Sequence, residues 1–391
     1  MTIIIFIIIL GALVFVHELG HFLVAKKAGV KVEEFGFGYP PRALVLGKRW
    51  GTLFTLNWIP FGGFVRIFGE NYEEAPEKSQ QESVSRKVWP SEAKETRGLF
   101  EKHFPVGQSL KHFTEVSKKW QVAILGAGVT FNILFAWLLF SLGFLIGLPA
   151  PIDNDFGADV KNPHLTVVGI LPESPADEAG LKTGDRIDSI ENLSGGEKDL
   201  PNAEEVSKFI NESSGELTIN ITRGDQELRL QVLPEAGIVE DKKAIGIEMD
   251  MVGTLSLPLH KAIYQGGKAT VVMTYLTVDG LFNLAKDALF GRADVSQVTG
   301  PVGIVSLVGD ASRLGISYLI TFTSLISINL AIINLVPFPA LDGGRILFVA
   351  IEALTRRPIN PKFAQITNAV SFALLITLMI FVTYRDILNL F

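Results

Sequence analysis

Long apolar runs alternate with polar stretches along this chain, and four of the runs have membrane length. Residues 3–25, 122–148, 316–336 and 363–382 are each at least 20 residues long and poor in charge. A helix needs about 20 such residues to cross the hydrocarbon core of a bilayer. Between the first two runs lie short apolar pieces at 43–46, 52–56 and 64–67, spaced by glycines, which predict the strands of a hairpin. Between the second and third runs the pattern changes to that of a small soluble domain. Residues 167–170, 184–187, 218–224 and 227–232 read as strands, and 174–181 read as a short helix opened by Ser174-Pro175 and ended by Gly180.

This pattern divides the chain into a first transmembrane helix (1–30), a membrane-associated hairpin region (31–70) and a polar cytoplasmic loop (71–121). A second transmembrane helix (122–148), the soluble α+β domain (163–236) and amphipathic membrane-associated segments (252–315) follow. A third transmembrane helix with its adjoining motif (316–345) and a fourth (363–383) complete the division. The polar loop carries Phe100, Phe104 and Phe113 as anchors to the inner headgroups, and no chemistry is expected of it.

Composition supports a membrane protein. Apolar residues make up 48% and charged residues 19%, and the apolar excess is concentrated in the four runs. The first run lacks a basic start and a small-x-small cleavage site, so it reads as a retained span and not a signal peptide. With no cysteine, thiol ligands, thiol nucleophiles and disulfides are excluded. A net charge of −6 argues against nucleic acid as a partner.

Charge also predicts orientation. Residues 26–119 hold 16 Lys+Arg against 11 Asp+Glu, whereas residues 148–316 hold 14 against 26. Lys26, Lys27 and Lys31 follow the first run, and Arg356, Arg357 and Lys362 fill the short connection before the fourth. By the positive-inside rule these basic segments face the cytoplasm, and the soluble domain lies outside.

The first run contains His17-Glu18-Leu19-Gly20-His21. On a helix, positions i and i+4 share a face, so both imidazoles reach one metal, and Glu18 stands beside the first as a general base. Zinc suits such a site, with nitrogen and oxygen ligands and one position left for water. Ionisable groups inside a span cost roughly 2–3 kcal/mol and persist there with a partner or a task. The other four histidines, His103, His112, His164 and His260, show no ligand spacing. A third ligand has to come from elsewhere, and Asp342 is the one acidic residue embedded in or just after the third run. Pro337 and Pro339 break the helix before it, and Gly343 and Gly344 follow it. Broken backbone at membrane depth needs protein or a water-filled cavity around it, as an active site in a bilayer does.

These motifs resemble the site-2 protease family, specifically the bacterial regulator-of-sigma-E protease type, over nearly the whole chain. The resemblance implies zinc ligation by His17, His21 and Asp342, with Glu18 as catalytic base. It also implies that Asn329 and Asn334, before Leu341-Asp342-Gly343, hold an extended substrate. The family's Gly-x-x-x-Asn element fits Gly128 and Asn132, with Val129 where the family usually has proline. The hairpin is implied to dip into the membrane beside the site, where an exposed edge could pair with a substrate strand. Residues 163–236 resemble a PDZ domain of the bacterial protease kind, expected to recognise or gate substrates. The resulting expectation is a polytopic α-helical membrane protein of about four transmembrane helices, with a membrane-associated β-hairpin and an inserted extracytoplasmic PDZ-like α+β domain. It would sit in the bacterial cytoplasmic membrane with its active site toward the cytoplasm. Its expected substrates are single-span membrane proteins, such as anti-sigma factors or remnant signal peptides, with an upstream site-1 protease acting first as one option. The competing readings are a non-catalytic PDZ-bearing membrane adaptor, which has no need of Glu18, and a transporter, which would show internal repeats.

Overall fold

The first apolar run forms one uninterrupted helix, α1 (Thr2–Lys27), because it is rich in Ile and Leu, free of proline, and ends on Lys26 and Lys27 at the negative end of its dipole. The computed structural model describes residues 1–70, 111–152, 160–192, 197–198, 202–213, 215–224, 226–239, 242–292 and 299–388. Most of the polar loop expected over 71–121, with Phe100 and Phe104, lies outside the described residues.

Four helices among the described residues are long and apolar enough to cross a membrane. They are α1, α3 (Ala127–Ile146), α8 (Ile316–Leu335) and α10 (Pro361–Leu388). The second run, expected as one helix over 122–148, is broken. A short α2 (Lys118–Leu125) ends at Gly126, α3 restarts at Ala127, and Leu148 already belongs to a strand. α8 likewise stops at Leu335, and after the Pro337/Pro339 segment a new helix, α9 (Asp342–Thr355), begins on Asp342.

The chain divides into two compact units. The first comprises Met1–Ala136, Val271–Val305 and Leu325–Phe391. Its core packs Phe22 and Ala25 of α1 and Ile124 and Leu125 of α2 with Val349 of α9. Phe35 and Ile67, from strands β1 (Val32–Arg49) and β2 (Thr52–Ile67), complete it. These strands are longer than the expected pieces and fold back on themselves. Phe35 pairs with Val65 on one side and with Phe54 on the other. Glu34, 5% exposed, locks this arrangement by accepting hydrogen bonds from Arg42 (2.8 Å) and the Thr55 hydroxyl (2.8 Å). Asp386, near the end of α10, accepts the backbone N–H groups of Gly300 (3.2 Å) and Gly303 (2.8 Å).

The second unit comprises Trp137–Thr270 and Ser306–Ser324. Its sheet contains β3 (Leu148–Pro151), β4 (Lys161–Ile170), β5 (Arg186–Asn192), β6 (Glu197–Lys198), β7 (Leu217–Arg223), β8 (Gln226–Val232) and β11 (Ile247–Leu255). The strand order is β3-β11-β4-β5-β7-β8, with β6 on β5. A separate hairpin pairs β9 (Glu235–Val239) with β10 (Lys242–Ala244). The sheet therefore extends beyond the expected 163–236 at both ends, because β3 and β11 pair across the whole insertion. Val167, Ile190, Leu217, Ile219 and Ile221 form the core with Val206 and Ile210 of helix α5 (Ala203–Glu212). Ser174 caps a one-turn helix, α4 (Pro175–Glu178), and Gly180 follows it at φ +81°. The segment 252–315, expected as interrupted amphipathic pieces, holds the end of β11, a continuous 31-residue helix α6 (Leu259–Leu289) and α7 (Pro301–Leu314).

One ion pair at this sheet has a fully buried acid. Arg223 donates from Nε (2.6 Å) and from a terminal nitrogen (2.7 Å) to Asp185, whose side chain has no exposure. Those bonds hold the Arg223 guanidinium above its ordinary pKa. Removing one member strands a buried charge, which costs about 3–5 kcal/mol. Arg223→Met is therefore expected to lower the local stability of the sheet by that amount. Hydrogen exchange should show it as lost protection at Ile187–Ile190 and Ile219–Ile221.

Candidate metal centre

The two backbone breaks bring three donor atoms to one point. His17 and His21 lie one turn apart on α1, and Asp342 is the first residue of α9. His17 Nε2 lies 3.0 Å and His21 Nε2 3.3 Å from Asp342 Oδ2, and the two nitrogens are 3.2 Å apart. Both imidazoles are buried, at 8% exposure. Among the described residues this is the one group of three His, Cys or acidic side chains close enough to share a metal ion.

The donor set fits a tetrahedral zinc ion. Bonds of about 2.0–2.1 Å place neighbouring ligand atoms about 3.3 Å apart, as found here. The hydrogen-bond pattern points the same way. His21 donates its Nδ1–H to the Ile124 carbonyl at 2.8 Å, which leaves Nε2 as a bare lone pair. His17 Nδ1 lies 3.3 Å from the Asn132 amide, whose buried Oδ1 has no other partner. With that amide turned end for end, Oδ1 accepts Nδ1–H and His17 Nε2 is bare as well. Two nitrogen lone pairs and a carboxylate then face one another inside an apolar span, an arrangement that requires a cation between them. Partners behind the ligands are how metal-binding histidines are held in the correct tautomer.

Local sequence explains how the backbone reaches this geometry. The break at Gly126 ends α2, where the last carbonyls lack helical partners and Ile124 turns its own to His21. Gly128 backs the site, since a Cβ there would stand 2.4 Å from His21 Nε2 and 2.6 Å from His17 Nε2. A Cβ on Gly20 would stand 2.6 Å from the Ala127 carbonyl oxygen, so that glycine lets α1 approach α3. Gly343 and Gly344 are needed for space and not for an unusual backbone conformation. Their Cβ atoms would meet the carbonyls of Leu335, Val336 and Phe338 at 2.2–2.4 Å. Ser327 donates to the Asn132 carbonyl at 2.8 Å and ties α8 to the same place.

Glu18 lines the cleft of about 340 Å³ that opens on the three donors. The same cleft is bordered by residues 63–67 of β2, by Tyr39, and by Glu70 ion-paired with Arg345. Val65 of β2 and Glu18 line this cleft together. Asn329 is exposed on α8, and Asn334 is half-buried one residue before that helix ends. Neither belongs to the clefts that Glu18 lines. Tyr39, Glu70 and Arg345 were not singled out in the sequence. Arg345, one turn after Asp342 on α9, carried the one local signal that could have found them.

Comparison with known proteins agrees with this geometry. The model of Peptidase family M50 matches residues 5–378. The zinc metalloprotease RasP of Geobacillus kaustophilus is 32% identical over all of this chain and 98% of its own length. The regulator of sigma-W protease RasP of Bacillus subtilis is 32% identical over all of this chain and 99% of its own. A putative zinc metalloprotease of Agrobacterium fabrum, Atu1380, is 30% identical over 98% and 95%. A family match of this extent, over a chain that joins four membrane-length helices to a His-His-Asp centre, shows that the protein belongs to peptidase family M50, the site-2 proteases.

Proposed function

We propose that the protein hydrolyses peptide bonds in or beside the transmembrane segments of single-span membrane proteins, with zinc held by His17, His21 and Asp342 and with Glu18 as the base. The convergence of those three donors in one cleft with Glu18 carries the reading. When bound, zinc supplies a Lewis acid that polarises a carbonyl and makes water acidic enough to ionise near neutral pH. Glu18 takes a proton from the attacking water and passes one to the leaving amine. Asn132 and the Ile124 carbonyl hold the imidazole tautomers. The substrate has to unwind first, because a helix keeps its carbonyls in internal hydrogen bonds. Residues 63–67 of β2 are paired on one side with 32–37 and border the cleft, so an extended substrate segment adds there as a further strand. Asn329 and Asn334 would contact the substrate only farther from the cut bond.

The domain division and topology belong to the same proposal. Four spans cross the bacterial cytoplasmic membrane, with the ligands toward the cytoplasm and the sheet of the second unit outside. That sheet acts as a PDZ-like module that recognises or filters substrates. The name of the Bacillus subtilis relative, regulator of sigma-W protease, supports anti-sigma factors as one substrate class. A first cut by another protease would precede this one.

Two measurements test the site. Glu18→Gln is expected to slow cleavage of a single-span substrate by at least about 100-fold, as loss of a general base does, while about one zinc per chain remains. Equal rates for the two proteins would remove Glu18 from the chemistry. Asn132→Ala is expected to weaken zinc binding about 10–100-fold in competition with a chelator, the usual cost of losing a partner behind a ligand.

A further inference from the structure

A second cleft meets the first at Glu18 and Gly63. It has about 350 Å³ of space and a different chemistry. Its walls are Gly11, Ala12 and Phe15 of α1 with Phe37 and Leu56 of the β1–β2 sheet. Asn57 also borders it but donates its amide N–H to the Gly38 carbonyl at 2.9 Å. A polar or charged occupant would lose its water there with little in return, whereas an apolar one gains by burial. The walls are firm, since Phe37 stacks on Phe15 at 5.3 Å and lies 5.3 Å from Phe35.

We propose that this cleft is the specificity pocket of the enzyme and takes one large apolar side chain of the substrate, within two residues of the bond that is cut. The inference rests on the protease reading above. Continuity commits the occupant, because Glu18 and Gly63 line both clefts and a chain lying along residues 63–67 passes the mouth of the second. Spacing agrees. Gly11, Phe15 and Glu18 stand at i, i+4 and i+7 on one face of α1, so the far wall lies about 10 Å along the helix axis from Glu18. An extended chain advances about 3.3 Å per residue with side chains alternating, so a side chain one or two residues from the cut bond enters. Gly11 lines the cleft with open space beside it, since an added Cβ would meet no atom within 4 Å. Side chains grown from that position fill space without displacing the protein.

The test uses the full-length protein in detergent and a single-span substrate in which the residues around the cut bond are changed one at a time to Ala, Leu or Phe. Cut positions and rates are read by mass spectrometry for the native protein and for Gly11→Ala, Gly11→Val and Gly11→Leu. Zinc content and thermal midpoint are measured on each. At one position within two residues of the bond, the native protein should cut the Leu or Phe substrate about tenfold or more faster than the Ala one, within the range a hydrophobic pocket can discriminate. That preference should shrink in step with the side chain at 11 and vanish in Gly11→Leu, with zinc content unchanged. A native protein indifferent to Ala, Leu and Phe at all these positions would overturn the proposal. So would a Gly11 series that slows every substrate equally, since that marks a structural effect alone. Native protein as inert as Glu18→Gln toward every substrate would sink the protease reading itself, and the pocket with it.

Discussion

Three lone pairs aimed at one point inside an apolar span are the constraint on which this structure turns. With the Asn132 amide turned to present Oδ1, each histidine has its ring N–H engaged elsewhere, His21 on the Ile124 carbonyl and His17 on Asn132, so neither donates to Asp342. Without a cation the cluster would be an uncompensated cost in the least forgiving solvent a protein meets. The surroundings serve to make that cluster both possible and necessary.

They do so chiefly through interrupted helices and missing side chains. A helix satisfies its own backbone, so an unbroken span has no carbonyl to offer and no free end to present. The stop at Gly126 yields one carbonyl, and the stop at Leu335 yields a helix start on which Asp342 stands first. Glycines at 20, 128, 343 and 344 then allow backbone to approach backbone or imidazole at distances that any side chain would forbid. The hairpin adds the remaining wall, tied together internally by a buried carboxylate, Glu34.

Much of this was legible in the sequence, for reasons specific to particular residues. The four runs are long, and length is what separates a span from a core helix, so the four membrane-length helices follow from pattern alone. His17 and His21 announce their shared face by spacing, and Asp342 stands out as an acid where acids are costly. The break at Gly126 was not legible, because the glycine sits in an apolar stretch that reads as continuous and its purpose depends on His21, 105 residues earlier. The double pairing of Phe35 was hidden for a similar reason, since local alternation says where strands are and not how many neighbours each has. Residues 329 and 334 were noticed through likeness alone, and they stand on α8 without lining either cleft that Glu18 lines.

His17 and Asp342 are separated by 325 positions along the chain, and that interval has a temporal meaning. A polypeptide is threaded into the membrane from its first residue onward. The helix bearing the histidines is therefore inserted long before the carboxylate has been translated. For that whole interval the nascent chain holds a half-built centre, two imidazoles without their carboxylate. The three donors cannot meet until about seven-eighths of the chain has been made, so the centre closes late in synthesis.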